Sequence, residues 1–389
     1  MRWIPVLLAL AMGGPAALQS APPRLYQDPT LSRTHIAFAY GGEIWTVPRD
    51  GGEARRLLHG QGRNGHPIYS PDGQWLAFTG TYDGNTDVYV VAAGGGEPRR
   101  LTYHPGPDVA VGWTPDSKQV LFRSPRATPR DLEHLYTVPL GGGQASQLPL
   151  PSGHEGSFSP DASKLAYTPF PQWQPAWKKY RGGQTSRIWL ASLADSSIVK
   201  IPREDSNDRN PVWVGDTVYF LSDRGGPVSL FAYDTRSRKV ARVVDNPAGF
   251  DIVSASAGPG GIVYHQFGSL KVLDTTSGLS RTVEVGIPAD LPEVRPHFAK
   301  VAGPQILHAA PSPSGKRVLF EARGEILSVP AEKGEVRNLT QSPGVADRDP
   351  AWSPDGKWVA WFSDASGEYA LHLRAPDGLG PVRSIPLGT

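Results

Sequence analysis

The stretch DPAWSPDGKWVAWFSDASGEYALHLRAPDGLGPVRSI, from Asp349 to Ile385, holds one complete structural unit. An apolar segment runs into the tetrapeptide Ser353-Pro354-Asp355-Gly356. An alternating segment follows, then a short polar turn, a third segment, a glycine-containing turn and a last segment. Alternation at a period of two predicts strands, and Pro, Asp and Gly between them predict tight turns. In the tetrapeptide, Pro presets φ, Asp accepts from the amides that follow it, and Gly takes the left-handed conformation that closes the hairpin. The unit is therefore a four-stranded antiparallel meander.

The same tetrapeptide position recurs as Ser70-Pro71-Asp72-Gly73, Thr114-Pro115-Asp116-Ser117, Ser159-Pro160-Asp161-Ala162 and Ser312-Pro313-Ser314-Gly315. Where Ser117 and Ala162 replace Gly, a left-handed residue would cost roughly 1 kcal/mol, which predicts a relaxed turn at those two places. A second marker is an aliphatic-aromatic pair on the third strand: Ile44-Trp45, Val88-Tyr89, Leu135-Tyr136, Ile188-Trp189 and Leu230-Phe231. It degenerates to Leu270-Lys271, Ile326-Leu327 and Leu371-His372. Subtracting successive first positions gives steps of 44, 47, 53, 42, 40, 56 and 45 residues. Eight units at this spacing predict an all-β fold, a β-propeller of four-stranded blades.

Composition agrees. The 389 residues carry 44 Gly and 39 Pro beside 11 Trp, 13 Tyr and 12 Phe, the mixture expected of many short aromatic strands joined by tight turns. Lys plus Arg number 39 against 37 Asp plus Glu, so nothing marks a nucleic acid as partner. With no Cys there is neither a disulfide framework nor a thiolate nucleophile. Residues 1–21 read as a signal peptide: Arg2, an apolar run from Ile4 to Met12, then small residues to Ala21. The expected location is periplasmic or secreted, with no membrane span in the mature chain.

Two long steps divide the repeats. One holds an insertion from Pro169 to Gly183. The other holds Gly286 to Gly303, with Pro288, Pro292 and Pro296 and no strand alternation. The expected organisation is a six-bladed ring over residues 22–287, a linker over 288–303, and two further blades over 304–389. The repeat by itself fits a single ring of eight as well.

No nucleophile elbow, phosphate-binding Gly-rich loop or zinc-helix motif is present, and no His pair has metal-ligand spacing. No catalytic, cofactor or metal site is expected. Each Asp-bearing turn supplies one carboxylate, where calcium requires several oxygens. These turns also differ from the aspartate boxes of sialidases, because Gly73 and Gly356 follow Asp72 and Asp355 directly. Asn338-Leu339-Thr340 has the form of a glycosylation sequon but occupies the outer-strand position that Arg100-Leu101-Thr102 holds in the second unit. The most unusual local composition is in the first insertion. Trp177, Lys178, Lys179, Tyr180 and Arg181 together suit contact with a peptide or a neighbouring domain, although by residue chemistry alone a loop packed on its own propeller is the better explanation.

Longer strings carry a resemblance. GGEARRL from Gly51, FTGTYDGNTDVYVVAAGGGEPRRLTYHPG from Phe78, VGWTPD from Val111, WKKYRGG from Trp177 and SNDRNPVWVGDTVYFLSDR from Ser206 resemble the N-terminal region of bacterial tricorn protease homologues. The resemblance covers nearly all of the mature chain. It implies a six-bladed propeller followed by the first two blades of a second, seven-bladed one. A PDZ-like domain and a serine-peptidase core that assembles as a hexamer would lie beyond. The implied role is to gate and guide peptides, with catalysis in the C-terminal core. It also raises the standing of WKKYRGG as a contact loop. The alternative is a free-standing TolB-like propeller that binds a protein partner without catalysis.

Overall fold

The computed structural model describes residues 25–58, 62–127, 132–172, 180–203, 205–247, 249–288, 300–301 and 303–388. The signal segment, Trp177 to Lys179 and most of the linker lie outside them. The described chain forms eight four-stranded antiparallel sheets, each with its strands in chain order. Their first strands are Gln27–Leu31, Arg63–Tyr69, Val109–Trp113, Glu155–Phe158, Asp208–Val214, Ile252–Gly258, Ile306–Pro311 and Asp347–Trp352. The molecule is all-β, built of propeller blades.

Strand alternation explains how the sheets stack. In the second strand of sheet 1, Ala37 packs with Ile44 and with Leu76 and Phe78 of sheet 2. Its neighbours Ile36 and Phe38 point the other way, into a cluster with Val263, Leu270 and Val272 of sheet 6. Both faces of such a strand are covered, so the segment reads as an unbroken apolar run rather than a strict alternation. The same division gives one buried cluster between each pair of consecutive sheets from 1 to 6. The cluster between sheets 6 and 1 completes a ring. Sheets 7 and 8 share a separate cluster, centred on Leu319, Ile326, Leu339, Val359 and Trp361.

The ring is fastened at its outer rim. Val285–Gly286 forms a two-residue strand pairing parallel with Gly52–Glu53, which leads into the last strand of sheet 1. The Gly52 amide donates to the Glu284 carbonyl at 2.9 Å, and the Ala54 amide to the Gly286 carbonyl at 2.8 Å. Gly51 has φ +98, and a Cβ there would lie 2.7 Å from the Glu284 oxygen. Only glycine satisfies both conditions. Arg281 Nη2 donates to the Arg49 carbonyl at 2.7 Å and to Asp50 at 2.9 Å across the same seam.

The SPDG turns are more uniform than their sequences suggest. Ser117 and Ala162 sit at φ 60 and 58, beside Gly73, Gly315 and Gly356 at 74, 68 and 70. The expected relaxed turn does not occur. The left-handed residue is retained because the rest of the turn is over-determined. In sheet 4 the Ser159 hydroxyl donates to Asp161 at 2.6 Å and accepts from the Lys164 amide at 2.9 Å, while Asp161 accepts from the Ser163 amide at 3.1 Å. Those hydrogen bonds outweigh roughly 1 kcal/mol of backbone strain. Ser117 adds a link between blades, its hydroxyl accepting from the Asp72 amide at 3.1 Å.

Candidate functional site: the central channel

The first strands of sheets 1 to 6 face the ring axis and enclose a channel of about 690 Å3. Most of these strands are not regular. Their pairing with the second strand shifts register around Asp28, His66, Val111, Asn210 and Val253. Three of these residues have positive φ, Asp28 at 47, His66 at 48 and Asn210 at 55, and each precedes a proline. A bulge breaks the two-residue period and re-aims a side chain. The repeated Asx-Pro or His-Pro dipeptide is thus the device that lines the channel with polar groups.

Those groups are largely committed to one another. His66 Nδ1 lies 3.2 Å from Asp28 Oδ2, joining sheets 1 and 2. Asn210 Nδ2 donates to the Ala255 carbonyl at 2.8 Å and its Oδ1 accepts from the Ala255 amide at 2.8 Å, joining sheets 5 and 6. The Asn210 amide donates to Glu155 Oε2 at 2.7 Å, which adds sheet 4. Arg209 Nη1 donates to the Val253 carbonyl at 2.9 Å. Arg123 Nε lies 3.1 Å from Glu133 Oε1, and the other oxygen of Glu133 meets His154 Nδ1. Burial pushes the Glu133 carboxyl up. The hydrogen bond and charge of His154, followed by Arg123, outweigh burial and hold it below the ordinary carboxylate range. The wall is thus polar, its side chains held by one another and by main-chain groups of neighbouring sheets.

Away from the axis, buried carboxylates brace individual sheets. Asp208 is fully buried and accepts from Ser206 at 3.0 Å, Ser222 at 2.6 Å and Arg224 Nη2 at 2.7 Å. The guanidinium of Arg224 lies over the rings of Phe220 and Phe231. Asp108 and Arg126 repeat the arrangement in sheet 3, with Arg126 over Phe122 and Tyr136. These pairs stabilise the scaffold and stand apart from the channel.

Of the contact residues expected from sequence, Tyr180 and Arg181 lie among the described residues. Arg181 Nη1 donates to Asp223 Oδ2 at 2.8 Å, and Asn207 Nδ2 donates to the Tyr180 carbonyl at 3.0 Å. Asn207 in turn donates its amide to Asp223 at 2.8 Å. This network fixes the C-terminal root of the insertion on sheet 5, and the Arg181 charge is used there. Among the described residues, no group of three or more His, Asp or Glu side chains has the geometry of a metal site. No helix among them is long and apolar enough to cross a membrane.

Residues 23–278, the whole ring bar its last strand and clasp, match the tricorn protease N-terminal beta propeller domain. Tricorn protease homolog 1 of Streptomyces coelicolor is 30% identical over 373 residues, covering 93% of this chain and 34% of the relative. The tricorn protease homolog of Saccharolobus solfataricus is 24% identical over 85% of this chain and 31% of its own length. The chain thus spans about a third of the curated relatives it matches. A crystal structure of the tricorn protease superimposes with a TM-score of 0.62 at 17% identity, covering 93% of this chain and 44% of that one, which shows a shared fold. The cyclic stack of sheets, the axial channel and the matched domain lead to one conclusion: this chain belongs to the tricorn protease family, whose N-terminal propeller domain it contains.

Proposed function

We propose that the chain is the propeller module of an exported tricorn-like serine protease, and that it gates and guides peptides to or from a proteolytic core in a longer polypeptide. The observation that carries this reading is the channel. It is about 690 Å3 in volume, lined from all six inner strands, and polar through side chains already held by one another or by main-chain groups. Such a wall offers hydrogen bonds to a passing main chain without a deep well to hold it. Bond cleavage is assigned to the peptidase domain of the full-length protein, which would work as a homo-oligomer, a hexamer by family analogy. The segment Trp177 to Arg181 is proposed to touch the peptide or a neighbouring domain, with Lys178 and Lys179 as the contact cations and Arg181 anchoring the root of the segment on sheet 5. Export rests on residues 1–21 acting as a cleaved signal peptide, and an intact Met1 on the secreted product would contradict the cleavage.

The channel reading is tested with a short peptide carrying a photoreactive residue, irradiated with the purified 389-residue chain and mapped by mass spectrometry. Crosslinks concentrated on the channel lining, at residues such as Arg33, His154 and Arg209, are the expected result. Crosslinks confined to the outer rim would overturn it.

A further inference from the structure

Phe250 and Phe267 form a ring-to-ring stack on the rim of sheet 6, with centroids 4.0 Å apart and planes inclined by 25°. Two features set this stack apart from the core aromatic pairs. Phe267 is 51% exposed. It also holds φ at 46, the left-handed region that a bulky side chain rarely adopts. With Gly268 at φ 69 it forms the two-residue hairpin turn between the second and third strands of sheet 6, which aims the ring outward.

A polar network holds the main chain of Phe250 in place. The Phe250 carbonyl accepts from Asn246 Nδ2 at 2.6 Å and from Gln266 Nε2 at 2.7 Å. Gln266 Nε2 also donates to Asn246 Oδ1 at 3.1 Å, and its Oε1 accepts from Lys271 Nζ at 2.8 Å. Lys271 stands where five of the other sheets carry an aromatic residue. In sheet 6 that position serves the network.

The exposed stack meets the second array. Gly367, in the turn between the second and third strands of sheet 8, approaches so closely that a Cβ there would lie 2.2 Å from Phe250 Cε1. The Phe250 ring cannot retreat, because Phe267 backs it and its main chain is pinned. The buried cluster of sheets 7 and 8 contains residues of those two sheets alone, so it does not hold the array to the ring.

We infer that the Phe250–Phe267 stack is a docking surface for the glycine turn of sheet 8, and that this contact sets the orientation of the second array against the ring. It goes beyond the peptide-guiding reading and does not depend on it. The kind of partner it fits is a β-turn closed by a glycine, here Asp364 to Gly367, whose bare Cα the flat ring face can cover.

The absence of Cys makes the test clean. Spin labels placed through Thr276→Cys in the ring and Lys333→Cys in the second array, both exposed, report the distance between the two bodies in the full chain. A single narrow distance peak is expected. Phe250→Ala and Gly367→Ala should each abolish the narrow peak while the unfolding temperature of the ring stays unchanged. The double variant should be no broader than either single one, because both remove the same contact. If Phe250→Ala lowers the ring's unfolding temperature, Gly367→Ala decides, since it lies outside the ring. A narrow peak that survives both substitutions, or a broad distribution in the parent chain, would overturn the inference.

Discussion

The ring and the second array are built from the same repeat yet differ in how much of it they bury. In the ring each sheet has a neighbour on both faces, and a second strand such as Gly261–Gln266 is buried throughout. Sheets 7 and 8 cover one face each. The strand Val359–Ser363 buries Val359, Trp361 and Ser363 but leaves Phe362 37% exposed, and the first strand Ile306–Pro311 is mostly in solvent, with Leu307 at 69%. Burial is thus a property of the number of neighbours and not of the repeat. An apolar residue of the repeat becomes core only when the ring supplies its second face.

The contrast predicts two separately movable unfolding transitions. The largest effect is expected from Asp208→Ala, which strands the Arg224 guanidinium among aromatic rings. Breaking a buried ion pair costs about 3–5 kcal/mol. Calorimetry should show the ring transition fall while that of the second array stays. The corresponding carboxylate of sheet 8, Asp347, accepts from Trp361 Nε1 at 2.9 Å and from the Ser342 hydroxyl. Asp347→Ala leaves a buried donor unpaired at about 1–3 kcal/mol and should move the other transition alone. If both variants shift both transitions together, the two arrays unfold as one body.

A smaller effect is expected at the rim clasp. Gly51→Ala adds a Cβ facing the Glu284 carbonyl at a positive φ, which costs upwards of about 1 kcal/mol. It should lower the ring transition and speed amide exchange at Gly52 and Ala54. Protection equal to that of the parent would remove the clasp from the closure.

The smallest effect is pH-dependent. Burial lowers the pKa of His265, against the opposing charge of Asp28, and its Nε2 has no hydrogen-bond partner. The folded state therefore favours the neutral imidazole. The stability this contributes is present above the unfolded-state value of about 6.5 and is lost as pH falls from there through the lower folded value. The ring transition should drop on acidification across that window, and His265→Gln should flatten the drop. An unchanged acid limb would show that other groups control it.

Much of this architecture was legible in sequence. The SPDG turns and the aliphatic-aromatic pairs locate all eight sheets, because both are local devices with a fixed chemistry. Two turns departed from expectation, since Ser117 and Ala162 keep the glycine conformation through hydrogen bonds that their neighbours make. The channel wall was harder to see. Its signal is the dipeptide Asp28-Pro29, His66-Pro67 or Asn210-Pro211 in the first strand, which recurs at Asp349-Pro350 in sheet 8 and reads as an ordinary strand start until the bulge is known. The pairs Asp108–Arg126 and Asp208–Arg224 are likewise marked by Ser-x-Arg after the second strand, a spacing with no meaning until the strands are placed. The rim clasp had no local signal. Val285–Gly286 is two residues long and its partner lies at the opposite end of the ring.

Closure of the first six sheets is the claim on which the channel, its lining and the clasp all rest. Ser256 Oγ and Thr30 Oγ1 face each other across the seam between sheets 6 and 1 at 3.4 Å. Replacing both with Cys in a chain that has no other Cys, followed by oxidation and intact-mass analysis, tests it directly. A closed ring predicts a monomer carrying one intramolecular disulfide, with a raised ring transition, since the bond closes a very long loop. Two free thiols after oxidation of the folded protein, or only disulfide-linked dimers, would contradict the closure.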